Sequence, residues 1–230
     1  MKNLLDDFIS LFFPKTCFAC GNNLFTNENI VCTSCLYHLP KTDFHKDPDN
    51  PVSKVFWGRV EIISATSFLY YRKGGKVQHL IHQLKYKGHK EIGIFLGELY
   101  GTDLKKTPEY SNIETIIPIP LHRKKLKMRG FNQSEYFAIG LANSMNTNID
   151  TASVVRTIAT STQTKKSRYK RWENVSNIFE INNPENLAGK SILLVDDVIT
   201  TGSTMEACIA SLNSLPGVKV SVASIAFASN

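Results

Sequence analysis

One stretch limits the folds open to this chain more than any other: Ser191 to Thr204, S-I-L-L-V-D-D-V-I-T-T-G-S-T. Ile192 to Val195 is a short continuous apolar run, which predicts a buried strand. The run stops at two adjacent carboxylates, Asp196 and Asp197. A turn of small and hydroxyl residues follows, Thr200, Thr201, Gly202, Ser203 and Thr204, and then a helix. Ser203 with Glu206 three residues on reads as a capping box. Met205, Cys208, Ile209, Leu212 and Leu215 follow at helical spacing.

A strand feeding a helix through such a turn presents unpaired backbone N–H groups at a helix N-terminus, where a phosphate is favoured. The hydroxyls of the turn add donors. Two carboxylates just upstream would repel a bare phosphate, but they suit a phosphate carried on a sugar whose hydroxyls need acceptors. Adjacent acids at the end of a buried strand have no packing rationale. The pattern asks for a sugar phosphate.

L-L-V-D-D-V-I-T-T-G-S-T resembles the phosphoribosyl-pyrophosphate (PRPP) motif of type I phosphoribosyltransferases. The resemblance implies that Asp196 and Asp197 hold the ribose hydroxyls. It also implies that Thr200, Thr201, Gly202, Ser203 and Thr204 wrap the 5′-phosphate, and that Mg²⁺ accompanies PRPP.

At 230 residues the chain suits one large domain, or a modest domain with a small module. The net charge of +7 points to an anionic partner such as nucleic acid, a phosphate-rich ligand or a membrane surface. No stretch approaches a transmembrane helix in length. The opening M-K-N-L-L-D-D-F-I-S-L-F-F-P is broken by Asp6 and Asp7 and makes a poor signal peptide. Leu4, Leu5, Phe8, Ile9 and Phe12 share one helical face, which predicts a short amphipathic helix packed on the body.

Next come C-F-A-C-G, from Cys17 to Gly21, and C-T-S-C, from Cys32 to Cys35. Two C-x-x-C pairs this close are a zinc signature, with Cys17, Cys20, Cys32 and Cys35 as ligands. Gly21 stands where a knuckle turn wants positive φ. Disulfides would need an oxidising compartment, and a redox C-x-x-C would open a helix after a strand. With four thiolates the site is closed and structural. His38 and His45 read as solvated. Lys41 to Ser53 is polar, holds two prolines and reads as a linker. The division expected is 1–50 for the amphipathic helix, zinc module and linker, and 51–230 for the larger domain.

Glu61 to Tyr71 reads as a strand. Val77, Leu80, Ile81 and Leu84 mark a helix face, and Ile92, Phe95, Leu96 and Leu99 mark another. Arg72, Lys73, Lys76, Lys85, Lys87 and Lys90 form a polybasic region, readable either as a solvated face or as a nucleic-acid surface. Ile113 to Ile119 is a strand running into P-L-H-R-K-K-L-K-M-R-G-F-N-Q-S-E, with five basic residues from Arg123 to Arg129. A helix from Gln133 follows, capped by Asn132. In a type I phosphoribosyltransferase the pyrophosphate loop lies here, at Leu121, His122 and Arg123. This run, with the four cysteines and the acidic motif, resembles a narrower group, the ComF/ComFC competence proteins, over Cys17 to Ala226.

Ser153 to Arg156 and Phe179 to Ile181 read as short strands around a polar stretch, 157–177. By its place in the order this stretch matches the hood loop of the family, carrying Lys165, Lys166, Arg168, Lys170 and Arg171. Tyr169 and Trp172 interleave with these cations, a mixture that also suits single-stranded nucleic acid. Val218 to Phe227 closes the chain as a strand. Strands alternating with helices give an α/β fold with a parallel sheet, its ligand crevice at the strands' carboxyl ends.

The resemblance implies a cytoplasmic PRPP-binding protein of DNA uptake, with single-stranded DNA and the uptake machinery as partners. The alternative it implies is an active transferase that moves phosphoribosyl from PRPP to a nitrogenous acceptor. Thr200 stands where purine-salvage relatives carry an acid, so a 6-oxopurine acceptor is disfavoured. With the zinc module in place of a glutaminase, and Lys2 after Met1, glutamine-dependent chemistry is not expected.

Overall fold

The structure is a computed structural model and describes residues 14–157 and 178–228. The N-terminal amphipathic helix read from the sequence lies outside them.

The chain opens on the cysteine pairs and a short helix α1, Thr33–Tyr37. The expected linker is built in rather than loose. A 3₁₀ turn at Phe44–Lys46 precedes α2, Pro51–Phe56. The reason is Asn50, which is 1% exposed. Its Oδ1 accepts the N–H groups of Val52 and Ser53, and its Nδ2 donates to the carbonyls of Phe44, Asp47 and Ala65. One amide side chain thereby caps α2 and ties it to the sheet edge. His45, expected in water, is buried, its ring edge-on to Tyr100 at 5.8 Å.

The strand expected over Glu61–Tyr71 is two short pieces, β1 at Ser64–Ala65 and β2 at Leu69–Tyr70. Then come α3, Lys76–Tyr86, and α4, Glu91–Leu104, and a single turn α5, Pro108–Ser111. Strand β3, Thr115–Pro118, leads to α6, Arg123–Arg129, and α7, Gln133–Met145. Strand β4 is Asn148–Ile149. Strands β5, Val154–Arg156, and β6, Phe179–Ile181, pair antiparallel, away from the main sheet. The chain ends with β7, Ser191–Ile199, α8, Ser203–Leu212, and β8, Lys219–Phe227.

The main sheet is parallel in the order β1-β8-β7-β3-β4, with β2 also on β8. Strand side chains alternate between faces. Ile116, Leu193, Val195, Ala223 and Ile225 pack under α3, α4 and α7, whereas Ile117, Leu194, Val220 and Val222 pack under α2 and α8. Both faces are covered, so the unbroken apolar run of β7 is what a central parallel strand requires. The run does not stop at the carboxylates. Partnered along the whole of β8, β7 continues through Asp196, paired with Ser224, to Ile199, paired with Phe227.

Helices α4 and α7 approach closely through glycines. A Cβ on Gly97 would sit 2.4 Å from the Phe137 carbonyl, and one on Gly140 would sit 2.0 Å from that of Ile94. This contact fixes where α7 begins, and so places the residues that meet the acidic pair.

Candidate functional site

Three elements converge at the carboxyl end of the sheet. Asp196 Oδ1 accepts hydrogen bonds from Ser134 Oγ at 2.8 Å and from the Asp197 N–H at 2.8 Å. Ser134 lies in the first turn of α7, where the Asn132 side chain accepts its N–H at 3.3 Å. The amide of Asn132 in turn donates to Ile119 O at 3.0 Å, just past β3. Asp197 Oδ1 accepts from Lys85 Nζ of α3 at 2.8 Å, with 19% and 11% of the two side chains exposed.

The pair is electrostatically strained. Burial, and then the neighbouring charge of Asp197, push the Asp196 carboxyl up to about 6. The Ser134 hydroxyl, the Asp197 N–H and the Lys85 ammonium pull the other way. Two carboxylates held side by side at this cost, with lone pairs left over, are an acceptor set for a diol or a cation.

Beyond them a small polar depression is lined by Asp196, Val198 and the turn from Thr200 to Thr204. The helix behind the turn does not start as expected. Gly202, at φ 70°, is the N-cap, and Ser203 is the first helical residue, its Oγ 3.0 Å from Thr201 Oγ1. Glu206 is turned away to pair with Arg59 instead of closing a capping box. Arg59 also donates to the carbonyls of Thr201 and Val55, each at 3.0 Å. A Cβ on Gly202 would meet Val55 Cγ1 at 2.6 Å. The turn is therefore braced from behind by α2 and Arg59, and a polar turn at a helix N-terminus suits an anion.

Leu121 and His122 are partly buried and Arg123 is exposed, between β3 and α7. The basic run after them is a helix, not a loop. His122 Nδ1 accepts the Lys124 N–H at 3.2 Å, Gly130 ends the helix at φ 78°, and the residues between are good helix formers. Lys165, Lys166, Arg168, Lys170 and Arg171, with Tyr169 and Trp172, lie outside the described residues.

Three partners of the site were not singled out from sequence. Lys85 appeared only as one member of a basic face, yet it falls four residues after buried Ile81 and so prolongs the stripe that faces the sheet. Ser134 follows a legible N-cap. Arg59 is a lone cation in a loop, and no sequence pattern marks it.

The four cysteines form a second centre. Their sulfurs all lie within 4.8 Å of one another, with Cys20 and Cys32 at 3.8 Å. A tetrahedron with metal–sulfur bonds of about 2.3 Å has edges of about 3.8 Å, so this set could hold a metal ion. Backbone N–H groups support the sulfurs: Cys32 donates to Cys17 Sγ at 3.3 Å and Cys35 to Cys32 Sγ at 3.4 Å. Gly21 takes φ 79°, as the knuckle turn requires. Cys17 and Cys35 belong to the same core as α3 and α4. A groove of about 400 Å³ lies between residues 27–36 and α4 and shares no lining residue with the acidic pair. Among the described residues no helix is long and apolar enough to cross a membrane.

Comparison with known proteins agrees with this geometry. The phosphoribosyl transferase domain family matches residues 132–229, from the N-cap of α7 through the acidic pair to the end of β8. The chain is thus an α/β protein whose residues 132–229 are similar to the phosphoribosyl transferase domain, with a four-cysteine cluster nearer its N-terminus. More narrowly, it is similar to proteins named Competence protein F and Competence protein ComFC. Competence protein F of Haemophilus influenzae is 26% identical over 210 residues, 84% of this chain and 89% of that one. Competence protein ComFC of Bacillus subtilis is 24% identical, over 83% of this chain and 75% of that one. DNA utilization protein YhgH of Shigella flexneri is 36% identical over 129 residues, 55% of this chain, and the match spans 56% of that protein's length. Among solved structures, Saccharomyces cerevisiae adenine phosphoribosyltransferase aligns at TM-score 0.38 and 18% identity, over 61% of this chain and 69% of that one.

Proposed function

We propose that this chain is a cytoplasmic PRPP-binding protein that handles single-stranded DNA during DNA uptake. The observation that carries PRPP binding is the acidic pair itself. Asp196 and Asp197 sit side by side at the carboxyl end of the sheet, next to a turn braced from behind by Arg59. In this reading the carboxylates accept the ribose hydroxyls, and Thr200 to Thr204 hold the 5′-phosphate. Leu121, His122 and Arg123 flank the pyrophosphate, Mg²⁺ enters with the ligand, and the hood cations at Lys165, Lys166, Arg168, Lys170 and Arg171 close over it. Zinc on the four cysteines anchors the N-terminal module of residues 1–50 to the domain at 51–230. The link to DNA uptake is supported by the printed names of the relatives, and the basic surface is compatible with it.

The domain match also supports a second activity of the same site, transfer of phosphoribosyl to a nitrogenous acceptor. Pyrophosphate release from PRPP and Mg²⁺, assayed against a panel of bases and amines, separates the two. Acceptor-dependent release that Asp196→Asn/Asp197→Asn loses makes the chain a transferase. No release from protein that binds PRPP leaves it a binding module. A transformation assay tests the biological half, where the double variant is expected to fail to complement a deletion.

Lys85 gives a sharper prediction. Its ammonium favours the ionised form of Asp196, so Lys85→Met raises the proton affinity of that carboxyl and leaves it a poorer acceptor at neutral pH. PRPP affinity at pH 7 is expected to fall about tenfold, the equivalent of about 1.4 kcal/mol. Much of the loss should return at pH 8.5, where Asp196 ionises without help. Calorimetric titration at both values checks this, and an unchanged affinity at both would remove Lys85 from the account.

A further inference from the structure

Helix α6 has no buried residue. In water a helix of seven residues is held by packing rather than by propensity, and this one has little of it. It carries Arg123, Lys124, Lys125, Lys127 and Arg129, and no acid occurs from Gly130 back to Thr115. Two apolar side chains stand out of it, Leu126 at 42% exposed and Met128 at 71%. Arg129 joins it to the body, its guanidinium 5.4 Å from the Tyr86 ring centroid and its Nη1 donating to Gln133 at 2.7 Å.

Tyr86 closes α3 and is 58% exposed. One turn earlier on the same face the exposed His82 ring lies 5.0 Å away. Between them Lys85 turns inward to Asp197. The segment from Arg72 to Lys90 also contains no acid. Two basic segments with no acid of their own thus meet at an exposed aromatic ring beside the acidic pair.

We propose that α6 and the carboxyl end of α3 form the docking surface for single-stranded nucleic acid, with Tyr86 as the stacking platform. This rests on the reading that the chain handles DNA, and it assigns the contact to residues other than the hood stretch. The cations fit the phosphate backbone, and an exposed ring fits a base face, which only an unpaired strand offers. An anionic membrane is the weaker fit. Leu126 and Met128 are two residues apart, about 200° around the helix, and form no single apolar face to lay on lipid. Because Lys85 and Tyr86 are consecutive on α3, a strand bound here lies beside the sugar-phosphate site.

The test is fluorescence anisotropy of a labelled oligothymidylate with the full chain. Stacking on one ring is worth a factor of roughly 5 to 150. Tyr86→Ala is expected to weaken binding about tenfold and Tyr86→Phe to keep it. Lys124→Gln/Lys127→Gln should lower the salt slope by about 1 to 2. PRPP binding by all three variants should match the wild type, which also reports that they fold. Oligonucleotide binding by the wild type that survives both Tyr86→Ala and the double glutamine change overturns this assignment and leaves the DNA-handling reading standing. No binding by the wild type overturns both. Binding to vesicles of anionic lipid, without oligonucleotide binding and lost in Lys124→Gln/Lys127→Gln, makes α6 a membrane contact and overturns the proposal.

Discussion

The Asp196→Asn/Asp197→Asn protein is expected to fold, and PRPP with Mg²⁺ is expected no longer to stabilise it against heat. In the proposed site two ribose hydroxyls would each lose a charged acceptor, and such hydrogen bonds are worth about 1.5–3 kcal/mol apiece. Together they amount to a loss of affinity of at least about 100-fold. At PRPP concentrations that raise the melting temperature of the wild type, the double variant shows no shift. The single change Asp196→Asn carries a signature in the absence of ligand. The carboxyl of Asp196 stands at about 6 in the folded protein, above its ordinary value of 3.8. Between those values the folded state holds a proton that the unfolded state has released. This contribution to stability is complete below about pH 4 and is lost as pH rises through about 6. Denaturant titrations of the unliganded wild type should therefore show a decline on the order of 2 kcal/mol from pH 4 to 7, which Asp196→Asn flattens. A wild type no more pH-sensitive than the variant would mean that the carboxylate is better satisfied than its surroundings indicate. Retained PRPP stabilisation in the double variant would place the ribose elsewhere.

Cys17→Ser/Cys20→Ser has an effect of a different kind. The one zinc per chain expected of the wild type should fall to none, and the loss should reach the main core, because Cys17, Ala19, Val31, Cys35 and Leu39 are buried with the helices of the larger domain. Structural zinc contributes roughly 10–16 kcal/mol of binding free energy in isolated modules. Even a fraction of that lowers the melting temperature of a domain this size by on the order of 10 °C. Metal analysis with thermal melts before and after chelation checks both parts. Zinc near zero in well-folded wild type, or a melt indifferent to chelation, would contradict the assignment. Phe44, Val52 and Phe56 are buried in the core on the other sheet face, so the segment between the module and the domain is no passive tether.

The parts of this protein legible from sequence are those whose signal is local. The apolar run Ile192–Val195, the stripe Val77, Leu80, Ile81 and Leu84, the Asn132 cap and the paired C-x-x-C spacing each carry their own reason. The observed elements follow them. Readings failed where a distant partner decides. Strand β7 runs past its carboxylates because β8 is long enough to pair with it. Glu206 leaves its expected capping role because Arg59, far away in sequence, offers a charge. Lys85 is one of six cations in a basic region readable two ways from sequence, and only the folded sheet brings Asp197 to it. The linker hid its structure in Asn50, whose five backbone partners span residues 44 to 65. The glycines that bring α4 and α7 together are a pairwise feature, meaningful only once both helices are placed.

The most direct test of the central claim is an isothermal titration of the wild-type chain with PRPP in the presence of Mg²⁺ near pH 7.5. The account predicts saturable binding at one site per chain, weaker for ribose 5-phosphate, which lacks the pyrophosphate, and absent in Asp196→Asn/Asp197→Asn. A folded, zinc-loaded wild type that takes up no PRPP would contradict it.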